Sequence, residues 1–189
     1  MRKRLVIFGV LLAFIAAGVA GIGVYRSWKH DRTGIVAGQR PGKLQEGEAK
    51  VIDLYFTDAD GQRLALESRE IGGRSIEEKI RQAMEALIAG PSKKKLAPTI
   101  PEGVKIRGIY YKEKIAFVDF TSALSSNHPG GSWTELLTIY SIINTITENF
   151  PEVKKVQILI EGREPETLAG HVDISRPLPG RIQLLAGDW

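Results

Sequence analysis

The sequence predicts an α+β domain in which a mixed β-sheet packs against two amphipathic helices, in the order β-β-α-β-β-α-β-β, preceded by one N-terminal transmembrane helix. Three observations lead to this prediction. Two stretches alternate apolar and polar residues around a short turn, and two others repeat apolar residues at helical spacing. The N-terminal region contains one long apolar run. The length of 189 residues fits one compact domain with accessory segments.

The apolar run covers residues 5–24, which carry no charge. As a helix it would span roughly 30 Å, the thickness of the hydrocarbon core of a bilayer. A cleaved signal peptide is the alternative, because Gly18, Val19 and Ala20 form a small-residue cleavage site. Because the apolar run is long enough to span a bilayer, we predict that residues 1–25 anchor the protein in the bacterial inner membrane as a single pass, with the domain outside the cytoplasm. Cleavage would instead release a secreted or periplasmic domain.

Residues 26–50 show no apolar period and are rich in Gly, Lys, Arg and Gln, which is typical of a flexible linker. The formal net charge of +4 comes from the membrane-flanking part: residues 1–32 hold six basic residues and one acidic residue. The remainder has 20 basic and 21 acidic residues, so no basic face for nucleic acid is expected. The chain has no cysteine, which excludes disulfides, thiol nucleophiles and cysteine-ligated metals.

The domain is predicted to span residues 51–180. Its first hairpin is the stretch VIDLYFTDADGQRLALESREI, in which Asp60 and Gly61 supply the turn. The following helix has a capping box of Ser75 and Glu78, and the Gly90-Pro91 pair ends it. Its apolar positions share one face: Ile76, Ile80, Met84, Leu87 and Ile88.

The second half repeats this plan. VKIRGIYYKEKIAFVDF predicts a hairpin that turns near Lys112-Glu113, and a helix follows from Ser132 to about Asn149. Ser132 is expected to cap this helix together with Glu135. The helix is rich in Ile and Thr, which lowers its helix propensity, so burial must stabilise it.

Two further strands are expected near the C-terminus. VKKVQILIEG reads as a strand, and residues 171–174 read as a short final strand. Residues 181–189 form an apolar tail that is suited to an edge segment.

A glycine-rich loop before the second helix is the main candidate binding site. Glycines that open a helix can present main-chain N–H groups to an anion. The alternative is that Pro129 and the glycines only turn the chain, and the loop has no lysine and no complete phosphate-loop pattern. We favour the turn and retain the loop as a ligand- or anion-binding hypothesis; its residues are Asn127, His128, Gly130, Gly131 and Ser132.

A second candidate contact is the basic loop Lys93, Lys94 and Lys95, which an acidic envelope partner could bind. No catalytic constellation is predicted. Glu161, Glu164 and Glu166 fall in one loop, so nothing places two carboxylates on opposite sides of a sugar.

Metal chemistry is also not expected. The stretch after Asp58 lacks the glycine and glutamate that a calcium loop requires, and the histidines at 30, 128 and 171 share no metal-ligand spacing. We predict no metal, no cofactor and no enzymatic activity.

Four stretches together resemble the GerMN domain of sporulation and spore-germination proteins, over residues 51 to 177. They are LYFTDADGQRLALESREI, AMEALIAGP, IPEGVKIRGIYYKEKIAFVDFTSAL and GGSWTELLTIYSIINTITENFPEVKKVQILIEGR. The resemblance implies an exported or membrane-anchored envelope protein. It also implies a topology similar to the ring-building modules of secretion-type complexes, and it brings no catalytic residues with it.

The functional expectation is a membrane-anchored module for protein–protein assembly or scaffolding, through a protein partner or self-association. The alternative is a module that binds a small envelope molecule or a peptidoglycan fragment at the glycine loop.

Overall fold

The computed structural model describes residues 49–184. The predicted anchor at 1–25 and residues 26–48 of the predicted linker lie outside this range, as do residues 185–189 of the tail. Among the described residues, no helix has the length and hydropathy needed to cross a membrane.

Six strands, three α-helices and a 3-10 turn make up the described residues. In chain order they are β1 (Lys50–Asp58), β2 (Leu64–Ile71), α1 (Ile76–Ile88), β3 (Leu96–Ala97), β4 (Ile106–Lys112), β5 (Ile115–Phe120), α2 (Ala123–Ser126), α3 (Ser132–Thr147), β6 (Lys155–Ile160) and a 3-10 helix (Ile182–Leu184). Both hairpins, both amphipathic helices and the strand that follows them occur where the sequence predicts them. The short elements β3 and α2 were not predicted.

The strands form two sheets, so the prediction of one mixed sheet is wrong. The first sheet has the order β2-β1-β3 and is antiparallel throughout. The second has the order β4-β5-β6, with β4 and β5 antiparallel and β5 and β6 parallel. The parallel pair is possible because α3 lies in the crossover between β5 and β6.

Helix α3 explains why β1 does not join the second sheet. Along the edge of β1 that faces away from β2, polar side chains of α3 and of Asn149, two residues beyond its end, take the place of a neighbouring strand. The Ser141 hydroxyl donates to the Tyr55 carbonyl at 2.6 Å, and the Tyr55 N–H donates to Thr145 Oγ1 at 3.2 Å. The Asn149 amide accepts from the Asp53 N–H at 2.9 Å and donates to the Asp53 carbonyl at 2.7 Å. Main-chain groups of a buried strand are thus satisfied without another strand.

Burial stabilises α3, as its composition predicts. Eleven of its residues are buried, and they include the apolar Leu137, Ile139, Ile142, Ile143 and Ile146. The β-branched side chains that lower its helix propensity fill the space between the two sheets and α1. Polar side chains are interleaved with them: Ser141 and Thr145 bond β1, Thr138 bonds the Thr99 carbonyl and Asn144 bonds the main chain of Arg181.

Helix α1 begins and ends as predicted, with a small difference at its cap. The Ser75 hydroxyl accepts from the Glu78 N–H at 3.2 Å. The Glu78 carboxylate accepts from the Arg74 N–H at 2.8 Å, one residue before the position that a capping box specifies. Gly90 follows the helix with φ +82°, which suits glycine at a helix C-terminus.

The second hairpin turns at Glu113 and Lys114, one residue later than predicted. Both residues have positive φ, 51° and 65°, which is the conformation of a type I′ turn. The predicted final strand, residues 171–174, does not form. One isolated bridge joins Thr167 to Asp173, and the segment is held instead by a buried carboxylate described below.

Gly73 gives a stability prediction at the entry to α1. Its φ is +130°, and a Cβ there would lie 2.9 Å from the main-chain N of Lys79. Gly61 has φ +65° with nothing within 4 Å of a Cβ. We expect Gly73→Ala to lower the free energy of unfolding by about 3 kcal/mol and Gly61→Ala by about 1 kcal/mol. Urea denaturation of both variants measures the difference; equal losses would contradict the steric explanation.

Candidate functional site

Glu135, in the first turn of α3, does not have the role that the sequence predicts. The sequence predicts it as the second member of a capping box with Ser132, and this is wrong. Ser132 is the first residue of α3, the N-cap is Gly131 at φ +85°, and no side chain caps the helix. Glu135 is fully buried and points instead toward the loop of residues 168–172.

Glu135 gathers the main chain of that loop around one carboxylate. Oε1 accepts from the N–H groups of Leu168 at 3.0 Å, Ala169 at 2.8 Å and Val172 at 3.3 Å. Oε2 accepts from the His171 N–H at 2.9 Å and lies 3.0 Å from His171 Nδ1. Burial acts to raise the pKa of Glu135, but these hydrogen bonds outweigh it and hold the pKa below its usual value. The carboxylate therefore anchors a loop and has no free oxygen face for chemistry.

His171, one of the three histidines, is explained by this contact. Its side chain is 47% exposed, and its inner nitrogen is directed at the Glu135 carboxylate. The geometry is that of an orienting hydrogen bond on a loop.

The structure brings the glycine loop to the start of α3. Gly130 and Gly131 both have positive φ, 83° and 85°, so L side chains would be strained at either position. The His128 ring closes the loop, because Nδ1 accepts from the Gly130 N–H at 3.0 Å and Nε2 lies 3.1 Å from Thr138 Oγ1. Burial lowers the pKa of His128, so this ring favours the neutral form that can accept at Nδ1.

Asn127 and Ser132 lie at the two ends of the loop. The Asn127 amide donates to the Glu102 carbonyl at 2.9 Å, which ties the loop to the segment before β4. Ser132 is exposed. The loop thus contains internal contacts that account for most of its polar groups, as the turn interpretation predicts.

A cleft of about 300 Å³ lies beside this loop, between the segment of residues 98–102 and the first turns of α3. Its wall includes Pro129 and Thr134, but neither glycine. The hydroxyl groups along it are largely used within the fold. Thr138 Oγ1 donates to the Thr99 carbonyl at 2.8 Å, and Thr99 Oγ1 lies 2.6 Å from Ser141 Oγ.

A second buried carboxylate, Glu67, binds the main chain of the basic loop. Glu67 is 3% exposed and accepts from the N–H groups of Ser92 and Lys93. It also forms an ion pair with Arg69 at 2.6 Å. Burial acts to raise the pKa of Glu67, yet the hydrogen bonds and Arg69 lower it to about 2. The Lys93 ammonium donates to the Leu66 carbonyl at 3.2 Å.

Lys93, Lys94 and Lys95 are all exposed. A groove of about 600 Å³ lies beside the loop, and Lys93, Lys94 and Glu102 are among the residues that line it. The loop therefore faces solvent, and its three lysines are exposed, with the Lys93 ammonium bonded to the Leu66 carbonyl.

Glu67 gives a prediction with a pH dependence. Its folded pKa is below that of a free glutamate, so its contribution to stability is full above pH 4.5 and is lost as the pH falls toward about 2. We expect Glu67→Gln to lower the free energy of unfolding at pH 7 by about 2 kcal/mol. The loss should shrink between pH 4.5 and pH 2, measured by urea denaturation at each pH. A loss that stays constant over that range would show that the charge of Glu67 does not matter.

The three glutamates that follow β6 do not form a carboxylate pair across a cleft. Glu161 accepts from the Ser122 N–H at 2.9 Å and lies 3.3 Å from Arg107 Nε. Arg107 also donates to Asp119 at 2.8 Å, so Glu161 belongs to a structural ion-pair network. Glu164 and Glu166 are exposed. Over residues 49–184, no cluster of three or more His, Asp or Glu side chains is arranged to hold a metal ion.

The sequence did not identify the roles of Glu67 and Glu135. One signal was available for each: Glu67 sits among alternating residues of β2, and Glu135 sits on the apolar stripe of α3. A charged residue on an apolar face is most often paired with main-chain donors or an opposite charge. Which donors it meets depends on loops 25 to 37 residues away along the chain.

Comparison with known proteins gives a consistent result. Residues 53–166 match the family model Germane, described as sporulation and spore germination. No curated protein matches the chain.

The solved structures that are similar to the chain include the following three. One is a candidate lipoprotein from Clostridium perfringens, at 31% identity and a TM-score of 0.51, over 69% of this chain and 87% of the other. The tandem GerMN domains of the sporulation protein GerM from Bacillus subtilis match at 20% identity and 0.56, over 76% of this chain and 49% of that one. The first GerMN domain of GerM alone matches at 20% identity and 0.54, over 69% and 97%. The chain thus spans about half of the tandem protein.

Proposed function

Because this chain belongs to the Germane (GerMN) family of sporulation and spore-germination domains, we propose that it is a membrane-anchored, extracytoplasmic module for protein–protein assembly in the bacterial cell envelope. Residues 5–24 would supply the anchor and residues 26–50 the tether. A candidate lipoprotein among the similar structures supports a membrane-associated location.

One observation carries the assembly proposal. The carboxylates and histidines best placed for chemistry are engaged in internal contacts, as Glu67, Glu135 and Glu161 illustrate. In contrast, β4 is a sheet edge that pairs with nothing on its outer side within residues 49–184, and its Tyr110 is 61% exposed. Open strand edges and exposed aromatic side chains are features of surfaces that bind other proteins.

Site-specific photo-crosslinking of the full chain tests this proposal. A photoreactive phenylalanine analogue at Tyr110 should give a discrete protein adduct in membranes of a sporulating host. The same analogue at Glu85, an exposed position of α1, is the matched control and should give none. If neither position gives an adduct while the protein is folded and present in the membrane, the assembly proposal fails at this surface.

A second candidate function is supported by the cleft beside the glycine loop. Its volume of about 300 Å³ would admit a small envelope molecule such as a single sugar of the cell wall. Soluble wall fragments should then raise the melting temperature. Thr134→Tyr, which fills the cleft from an exposed position, should abolish that shift, whereas Ser132→Tyr on the same turn should retain it. No shift with the unchanged protein would remove this candidate.

A further inference from the structure

The groove beside the basic loop is a surface that the proposed assembly at β4 does not use. It has a volume of about 600 Å³ and lies between the end of α1 and the segment of residues 98–103. Lys93 and Lys94 line it from the loop, and Glu102 lines it from that segment. Gly90 and Gly103 contribute main-chain atoms only. Apolar side chains complete the lining: Ile88, Pro91, Leu96, Pro98, Ile100 and Pro101.

A buried ion pair fixes the start of the basic loop. Arg69 donates to the Gly90 carbonyl at 2.6 Å and to Ser92 Oγ at 3.1 Å. Its partner Glu67 accepts from the N–H groups of Ser92 and Lys93, at 2.9 and 2.8 Å. These bonds set the path by which the loop leaves α1.

A turn then presents the lysines to solvent. The Leu96 N–H donates to the Lys93 carbonyl at 3.0 Å. This bond places Lys94 and Lys95 at the two central positions of the turn. Leu96 pairs with Asp58 in the first sheet, so the far end of the loop is fixed as well. A surface that is already ordered loses less conformational entropy when a partner binds.

The positive charge of the loop is not neutralised within residues 49–184. No carboxylate in that range forms an ion pair with Lys93, Lys94 or Lys95. Three like charges at consecutive exposed positions create a potential that attracts an anionic partner. Glu102 repels anions on its own side of the groove, so the anionic groups of a partner are expected at the lysines.

The shape of the surface favours a peptide over a lipid surface. Basic segments that bind a bilayer lay their charges against a flat plane of headgroups, whereas the apolar side chains here line a concave groove. An extended peptide supplies carboxylates, apolar side chains and main-chain hydrogen-bonding groups together. Those three kinds of group match the lysines, the apolar side chains and the glycine main chain of the groove.

We propose that the groove between α1 and residues 98–103 binds an extended acidic peptide of a partner protein, with the peptide carboxylates at the basic loop and its apolar side chains beside Leu96 and Pro98. The inference goes beyond the assembly proposal, because it concerns a separate surface and specifies the chemistry of what binds there.

Selection from a displayed library of random nonapeptides tests the proposal, with the full chain in detergent micelles as the bait. The selected peptides should be enriched in Asp and Glu next to apolar residues. Enrichment of neutral or basic peptides would overturn the proposal, and so would a selection that enriches no peptide.

Charge variants locate the site, with fluorescence anisotropy of the tightest selected peptide as the measurement. Lys94→Glu with Lys95→Glu should weaken binding about 10-fold or more. Glu102→Gln removes a repulsive carboxylate and should tighten binding about 3-fold. Lys112→Glu with Lys155→Glu makes the same change of net charge at exposed positions of the second sheet and should alter the affinity by less than about 2-fold. Equal losses in the two charge-reversal pairs would show non-specific attraction and overturn the site.

A neutral substitution tests the groove itself. Ala89 is exposed, lines the groove and has φ −63°, which any L residue adopts. Ala89→Trp should fill the groove and weaken the selected peptide about 10-fold without a change in melting temperature. Gln82→Trp, at an exposed position two turns earlier on α1, is the control and should retain the affinity. An affinity that survives Ala89→Trp but not the lysine reversals would show a charged surface without a groove, which overturns the peptide site.

This inference and the assembly proposal fail separately. A protein adduct at Tyr110 without selection of acidic peptides removes only the peptide site. Selection of acidic peptides that depend on the groove, without an adduct at Tyr110, removes only assembly at β4.

Discussion

Replacing Glu135 with alanine is expected to lower the free energy of unfolding by about 4 kcal/mol at pH 7. The change leaves the N–H groups of the 168–172 loop without their acceptor and opens a cavity at a site with no solvent access. Glu135→Gln keeps one acceptor oxygen and the volume, so a loss of about 2 kcal/mol is expected. Urea denaturation measures both losses. Glu85→Gln, on the exposed side of α1, is the control and should change stability by less than about 0.5 kcal/mol.

The same residue makes an acid-sensitivity prediction. Because the folded pKa of Glu135 is below 4.5, its contribution to stability is present above that pH and is lost as the pH falls through the lowered value. The unchanged protein should therefore lose stability in acid more steeply than Glu135→Gln. Parallel curves for the two proteins below pH 4.5 would mean that the carboxylate is not the acceptor that holds the loop.

Removing the polar side chains that bond β1, from α3 and from Asn149 just beyond it, should have an effect of similar size. Thr145→Val preserves the shape of the side chain but leaves the Tyr55 N–H without an acceptor in a buried position, at a cost of about 2 kcal/mol. Asn149→Ala removes the partner of both main-chain groups of Asp53, and about 2 kcal/mol is again expected. The double variant should lose less than the sum of the two, because the Asn149 amide also donates to the Thr145 carbonyl at 2.9 Å and the two sites are therefore coupled.

The control for this series is Thr147→Val on the same helix. The Thr147 hydroxyl bonds only the Ile143 carbonyl of its own helix, at 3.0 Å, so a change below about 0.5 kcal/mol is expected. Hydrogen exchange at the Tyr55 amide provides a local measurement. If Thr145→Val exchanges there no faster than the unchanged protein, α3 does not protect the edge of β1.

Local sequence patterns were sufficient to predict most of the helices, strands and turns. The alternation around Asp60-Gly61, the apolar face after Ser75 and the Gly90-Pro91 stop all correspond to observed elements, because turns, caps and amphipathic faces are encoded within a few residues. The predicted position of the second turn was one residue too early, since periodicity does not distinguish Lys112-Glu113 from Glu113-Lys114.

Local sequence patterns could not predict which strands pair with which. The split into two sheets depends on Ser141, Thr145 and Asn149 meeting the main chain of β1, at separations of 86 to 96 residues. Those residues looked like poor helix formers, and their role appears only when the partner strand is in place. The prediction of a strand in the loop beyond β6 was wrong for a related reason. The N–H groups of this loop bond the Glu135 carboxylate and not a neighbouring strand.

The candidate site was predicted only in part. The turn interpretation of the glycine loop agrees with its positive φ values and with the His128 contact. The open edge of β4 had no distinctive sequence signal, because an edge strand and a central strand can share the same alternation. Only the positions of the other strands reveal which strand is left at the boundary.

The bonds between α3 and β1 have a consequence for how such sequences can diverge. The helix contacts the main chain of β1, so any residue other than proline can supply the same N–H and C=O groups at positions 53 and 55. Positions 141 and 145 of the helix, and position 149 just beyond its end, have no such freedom, because each must carry a short hydroxyl or amide side chain. We therefore expect that, among relatives that keep this architecture, identity drifts in the strand while a spaced Ser/Thr/Asn signature persists in and just after the helix. A search that weights those three positions should recognise distant relatives whose β1 has lost all resemblance.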